Sequence, residues 1–345
     1  MRFPEFTEEW REYAIGNVLS IGNGRDYKHL HNGDIPVFGT GGYMTSVDDF
    51  LYDGESVFIG RKGTINKPLY YNGKFWTVDT LFYTHSFVNV LPKFAYCLFQ
   101  TINWLKYNEA SGVPSLSKAT IEKIKVRIPS MDEQDKLSNQ LFLLDKRIEV
   151  QNKIIEKLET LIKGIRHNVF QQLRKDVGFN STIGDILSFE QPQRYIVSST
   201  EYSDDSSCTP VLTANKAFIL GYTTETDGIY SKGDCIIIDD FTLDCKYVSF
   251  PFKIKSSAIK ILTAENKYIL RFIYEYLKSL DISTEEHKRH YITEIQPSSC
   301  ILPDDKTLTT IALMFESITN KLENEQSLAL MLNKQKQYLL SKMFI

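Results

Sequence analysis

The chain is written twice. Ile15-Gly16-Asn17-Val18-Leu19-Ser20 returns as Ile183-Gly184-Asp185-Ile186-Leu187-Ser188, an offset of 168. Pro36-Val37 returns as Pro210-Val211, and Gly54 with residues 56–59 returns as Gly233 with residues 235–238. By Ile128-Pro129 and Leu302-Pro303 the offset is 174. A drifting offset means loops of unequal length around a shared plan. At about 100–200 residues per domain, 345 residues then read as two copies of one unit rather than one continuous core. Each copy runs in the same order: a strand-rich module, an X-Pro break, and a long helical segment.

The helical segments carry the clearest physical signal. In the first, Leu137, Leu141, Leu144, Ile148, Gln151, Ile155, Leu158, Ile162, Ile165 and Val169 step by three and four, and nine of the ten are apolar. The second repeats the steps at Ile311, Phe315, Ile318, Leu322, Glu325, Ala329, Leu332, Lys336, Leu339 and Met343. A sustained 3.5-residue period makes a coiled-coil seam. At 1.5 Å per residue the seam spans roughly 50 Å, longer than the core of one module requires. The two helices are therefore expected to pack on each other, antiparallel. Gln151 and Glu325 are the polar seam residues at equivalent mid-points, and are expected to meet across such a pair.

The modules read as short strands, turns and one helix each. Turn signals are dense at Gly22-Asn23-Gly24, Asn32-Gly33-Asp34, Gly39-Thr40-Gly41-Gly42, Asp53-Gly54 and Asn72-Gly73. Residues 56–59 and 67–71 are strand-like, and residues 91–107 have helical spacing. The second module copies this with strands at 235–238, 247–254 and 258–262 and a helix over 267–280.

Composition narrows the function classes. The formal net charge is −3, so the chain does not coat nucleic acid by bulk positive charge. Five cysteines without C-x-x-C spacing read as reduced thiols rather than a disulfide framework or zinc site. No signal-like or membrane-length apolar run is present, so a soluble, cytoplasmic protein is expected. The sequence contains no P-loop, no Asn/Asp-Pro-Pro-aromatic methyltransferase motif and no G-x-S-x-G elbow. Nuclease-like triplets occur at Asp26-Tyr27-Lys28, Asp244-Cys245-Lys246 and Glu286-His287-Lys288, without a well-placed partner acid. No metal site and no catalytic residue are expected.

Two windows stand out against the neutral background. Residues 56–78 carry Arg61, Lys62, Lys67 and Lys74 and no acid, interleaved with Tyr70, Tyr71, Phe75 and Trp76. Residues 245–264 carry Lys246, Lys253, Lys255 and Lys260, again without an acid, with Tyr247, Phe250 and Phe252. One basic, aromatic-laced patch per module suits phosphate contacts plus base-edge contacts on a small footprint.

The chain resembles the specificity (S) subunits of type I restriction-modification systems. The resemblance rests on Arg2-Phe3-Pro4-Glu5-Phe6-Thr7 with Trp10, on residues 111–116 running to Ile121, and on Ile128-Pro129-Ser130-Met131-Asp132-Glu133-Gln134. It extends to Asp240-Phe241-Thr242, Phe250-Pro251-Phe252-Lys253 and Ser256-Ser257-Ala258. The second link, Leu302-Pro303-Asp304-Asp305-Lys306, lacks the Glu-Gln pair.

The resemblance implies an α+β chain with two target recognition domains in tandem pseudo-repeat, joined by two long antiparallel coiled-coil helices. The boundaries are 1–130 and 176–303 for the recognition domains, and 131–175 and 304–345 for the helices. Each domain would read one half of a bipartite, gapped duplex DNA target. The chain would bind no cofactor and no membrane. It would dock two modification (methyltransferase) subunits carrying S-adenosylmethionine, and restriction (translocase-nuclease) subunits using ATP and Mg2+. The DNA-facing residues are expected among Thr40, Tyr43, Arg61, Lys62, Lys67 and Lys74 in the first domain, and Asn215, Lys216, Thr242, Lys246, Lys253 and Lys255 in the second. Because the modules differ outside scaffold positions, the half-sites should differ. A coiled-coil scaffold with two protein-binding modules is the alternative, disfavoured by the paired basic windows. A stand-alone nuclease or methyltransferase lacks its motifs.

Overall fold

The computed structural model describes residues 2–215, 217–280 and 289–344. It divides into two compact units, Met1–Asn152 with Ser327–Ile345, and Lys153–Gln326.

The first unit begins with β1 (Arg11–Ala14), β2 (Ser20–Asn23), β3 (Asn32–Gly39), β4 (Gly42–Val47), β5 (Tyr52–Gly60), β6 (Leu69–Thr77) and β7 (Leu81–His85). Then follow α1 (Pro92–Phe99), α2 (Lys118–Lys123), β8 (Lys125–Ile128) and the start of α3 (Met131–Asp176). Strands β2 to β7 form one six-stranded sheet in the order β2-β7-β5-β6-β3-β4, while β1 pairs antiparallel with β8. Phe58 of β5 packs on Phe38 of β3 and Phe75 of β6, with ring centroids 5.2 and 4.7 Å apart. Three expected turns lie inside strands: Asn32-Gly33-Asp34 in β3, Asp53-Gly54 in β5 and Asn72-Gly73 in β6. Gly54 of β5 stands opposite Gly73 of β6, and both have positive φ, which only glycine adopts without strain. The expected helix over 91–107 ends at Phe99, and a short 3-10 turn at Trp104–Tyr107 follows. Trp104, fully buried, donates to the Phe99 carbonyl.

The second unit carries the end of α3 and then β9 (Ser181–Thr182), α4 (Ile183–Ile186), β10 (Ser188–Glu190), β11 (Thr209–Leu212), β12 (Ile219–Thr223), β13 (Cys235–Asp239) and β14 (Cys245–Val248). It closes with β15 (Lys253–Ile254), β16 (Ile259–Thr263), α5 (Lys267–Ser279), β17 (Ser299–Cys300) and the start of α6 (Asp305–Met343). Its sheets run β10-β16-β13-β14 and β12-β11-β15, with β17 paired to β9. Asn266 caps α5 by accepting from the Tyr268 and Ile269 amides, which fixes its start.

The repeat holds at the level of single atoms. Ile15 N–H donates to Ile124 O in the first unit, and Ile183 N–H donates to Ser298 O in the second. The following glycine is small for the same reason in both. A Cβ on Gly16 would stand 2.9 Å from Glu122 Cβ, and one on Gly184 would stand 2.7 Å from Gln296 Cγ. Parallel pairing of β3 with β6 at Val37↔Trp76 matches that of β11 with β15 at Val211↔Lys253.

The long helices run Met131–Asp176 and Asp305–Met343, and the two units divide each of them. In the first unit Leu141 of α3 and Leu340 of α6 share a cluster with Cys97 of α1, and Asp145 pairs with Lys336. In the second, Phe170 and Leu173 of α3 share a core with Leu308 and Phe315 of α6 and with Phe272 and Tyr276 of α5. Every seam position named above is buried or half-buried, while most positions between them are exposed. The seam pattern is thus a burial pattern. Its apolar members sit in it for the ordinary hydrophobic reason.

Candidate nucleic-acid interface

In the first unit the β3–β4 hairpin turn, Thr40-Gly41, abuts the segment that follows β5. Thr40 Oγ1 lies 3.6 Å from where a Cβ on Gly63 would stand, and Gly63 itself has φ +94°. That segment is held rigidly on both sides. The Arg61 and Lys62 amides both donate to Thr80 O, and Gly63 N–H donates to Pro114 O. Leu116 N–H in turn donates to Arg61 O, and Lys62 bridges to Ser115. The backbone is pinned so that the side chains of Arg61 and Lys62 project from a fixed base, and both are exposed. Arg61 lies over Phe82, 5.8 Å from the ring centroid. Lys67 is exposed on the same β5–β6 loop. Arg61, Lys62 and Lys67 make no ion pair with any described residue, so their charge faces solvent.

Tyr43 is 64% exposed at the hairpin and its hydroxyl is 3.1 Å from Ser46 Oγ. Met44 beside it is also exposed. Thr40, Tyr43, Arg61, Lys62 and Lys67 therefore belong to the hairpin turn and the adjoining β5–β6 loop. Lys74 does not join them. It sits far along β6, opposite Asp53, with its ammonium 4.9 Å over the Phe50 ring. About 20 Å of extended chain separates it from Lys67.

The second unit departs further from expectation. Lys253, at the position equivalent to Trp76, is 3% exposed. Its ammonium pairs with Glu225 at 2.6 Å and donates to Asp227 O. Lys260 is likewise buried, 3.5 Å from Asp240 and donating to Gln191. Both lysines are structural, because burying an ammonium demands a partner. Asn215 and Thr242 are exposed and come together, with Thr242 Oγ1 3.5 Å from Asn215 Oδ1. Lys255 is exposed and Lys246 half-buried. Lys216 lies outside the described residues, as does the Glu286-His287-Lys288 triplet.

Lys253 also sets the charge state of its partner. The lysine's hydrogen bond holds the Glu225 carboxyl below the usual carboxylate range. Burial pushes the Cys245 thiol up to about 11, so it is an inert thiol. Among the described residues no group of His, Cys, Asp or Glu side chains is placed to hold a metal ion. Among the described residues no helix is long and apolar enough to cross a membrane.

Sequence reasoning took the loop that carries Pro114 and Ser115 only as part of the resemblance and missed that it braces Arg61–Gly63. It bears no charge pattern, and only its Asn108, which accepts from the Ala110 and Ser115 amides, marks it as an ordered turn. The Glu133-Gln134 pair has an unexpected place too. Glu133 is fully buried against Arg2 and Trp10. Gln134 accepts from the Leu91 amide and donates to Asn89 O and Pro129 O.

The model for the type I restriction modification DNA specificity domain matches residues 7–160. The specificity subunit of the Escherichia coli type I restriction enzyme EcoR124I/EcoR124II is 41% identical over 143 residues, 39% of this chain. That match spans 35% of the curated relative's length. The crystal structure of a type I restriction-modification system S subunit from M. genitalium shares the fold. Its TM-score is 0.77 over 99% of this chain and 97% of that one, at 16% identity. Thr40, Arg61, Lys62 and Lys67 all lie inside residues 7–160, the stretch that is similar to the type I restriction modification DNA specificity domain.

Proposed function

We propose that this chain is the non-catalytic, sequence-reading subunit of a type I restriction-modification complex, acting on duplex DNA in the cytoplasm. The observation that carries the reading is the first unit's rim. There, three unpaired cations and Thr40 and Tyr43 project from a braced backbone within the matched specificity domain. Long cations neutralise phosphates or read guanine, and hydroxyls read base edges. Asn215 and Thr242, with Lys255 and Lys246, serve the second module in the same way. The modules share a scaffold and differ in their loops, so they read different half-sites of a bipartite, gapped target.

The helices α3 and α6 act as an antiparallel coiled coil that sets the gap. In support, each unit pairs rising positions of α3 with falling positions of α6. In the first unit Leu141 packs with Leu340 and Asp145 with Lys336. In the second unit Arg166 lies over Phe315, and Leu173 shares a core with Leu308. On this reading Gln151, buried in the first unit, and Glu325, which pairs with Lys321 in the second, are the polar members of the seam. The outer face of α3 exposes Leu143, Val150, Ile154 and Leu161 at steps of seven, four and seven. That second apolar stripe suits docking of two modification subunits, which bring S-adenosylmethionine, while restriction subunits bring ATP and Mg2+. Mapping N6-methyladenine in DNA from cells expressing the chain with its modification partner tests the reading. A gapped, two-part motif is expected, and a continuous motif overturns it.

A further inference from the structure

A cleft of about 390 Å3 opens in the second unit between α3, the end of α5 and the turn after β13. Lys163, Arg166 and His167 line it from one face of α3, being three and four residues apart, and Lys278 lines it from α5. Among the described residues, Asp244 and the buried Glu275 are the acids near them. Glu275 is already held twice over, 2.7 Å from Arg166 and 3.1 Å from Arg271. Lys163, His167 and Lys278 make no ion pair with any described residue. Leu243 and Leu277 give the cleft an apolar wall, and a low-dielectric wall focuses the field of the charges beside it. The Leu243–Asp244 wall is continuous with Thr242, which meets Asn215. The basic cleft therefore begins where the candidate reading turn ends.

We propose that this cleft grips the sugar-phosphate backbone of duplex DNA next to the second half-site, with Lys163, His167 and Lys278 as sequence-independent contacts to phosphodiester oxygens. The proposal rests on the reading of the chain as a DNA-specificity subunit. The cleft is far larger than a single phosphate and carries donors from two helices, which suits a continuous polyanion. Such contacts position a duplex without reading it, and they set the salt dependence of binding.

The test is duplex binding by the full chain assembled with its modification subunits, followed by fluorescence anisotropy over a salt series. One duplex carries the methylated motif and the other a scrambled one. The double variant Lys163→Gln, Lys278→Gln is expected to weaken binding to both duplexes by the same factor. Its slope of log affinity against log salt should fall in magnitude by about 2, close to one unit per lost phosphate contact. Lys163→Arg with Lys278→Arg is expected to keep the slope, which separates a charge role from lost folding. An unchanged slope in the Gln variant, or a loss confined to the target duplex, overturns the cleft proposal alone. Salt-independent binding, or none, by the wild type overturns the functional reading and the cleft proposal with it.

Discussion

Arg2 and Glu133 form a two-bond ion pair, Nε to Oε1 and Nη2 to Oε2, each at 2.7 Å. The carboxylate is fully buried and also accepts from Trp10 Nε1 at 3.3 Å. The pair ties the first residues of the chain to the first turn of α3, 131 positions away. The same corner receives Phe344, whose ring stacks on Phe94 at 5.4 Å, so both ends of the chain close the first unit. The second link needs no such pair. Asp304 caps α6 by accepting from Lys306 and Thr307, and Asn180 exchanges two hydrogen bonds with Leu302. The Glu-Gln motif is thus an internal brace of the first unit.

Arg2→Ala leaves the buried Glu133 carboxylate without its cation. Removing one partner of an ion pair with a buried carboxylate is destabilising, because the charge left behind has no counter-ion. Urea unfolding of the full chain should show a lowered midpoint for Arg2→Ala, while Arg2→Ala in a Glu133→Gln background shifts it much less. Equal losses in both backgrounds would count against the brace.

Charge reversal at Arg61 and Lys62 together should abolish recognition of one half-site by the assembled complex and leave the fold intact, since both side chains project into solvent. Lys253→Met should do the opposite, lowering stability by about 3 kcal/mol without selectively relaxing a base. Methylation maps combined with thermal melts separate the two outcomes. Undiminished methylation by the Arg61/Lys62 variant would remove the rim from the interface.

The Glu225–Lys253 pair sets a pH dependence with a definite sign. Glu225 is held below its unfolded value of about 4.3, so its contribution is complete above that pH and is lost as the pH falls through the lower, folded value. The second unit should therefore weaken on acidification below about pH 4. Glu225→Gln should flatten that fall. Denaturant midpoints measured across the range check it, and identical curves for both proteins would refute it.

Leu143→Glu with Val150→Glu should leave the chain folded but unable to co-purify with modification subunits. Both side chains are exposed, so the substitution loses no core contacts and places charge on the proposed docking stripe. Retained assembly at wild-type affinity would place docking elsewhere.

The repeat, the seam and the X-Pro links were legible in the residue order. Helix burial is periodic along the chain, so the 3.5-residue step alone marks which positions of α3 and α6 turn inward. Ile15-Gly16 and Ile183-Gly184 were legible as a repeat, although only packing shows that Glu122 and Gln296 make the glycines necessary. The basic windows were legible in part. Arg61, Lys62 and Lys67 remain charges facing water, whereas Lys253 and Lys260 are cancelled by Glu225 and Asp240, which lie outside the acid-free window. Periodicity is a property of neighbours in sequence, and so the chain alone determined its internal repeat and its helices, but not the division of each long helix between two units. Charge neutralisation is a property of neighbours in space, and so only the tertiary structure decided which lysines are free to meet a phosphate and which hold the fold together.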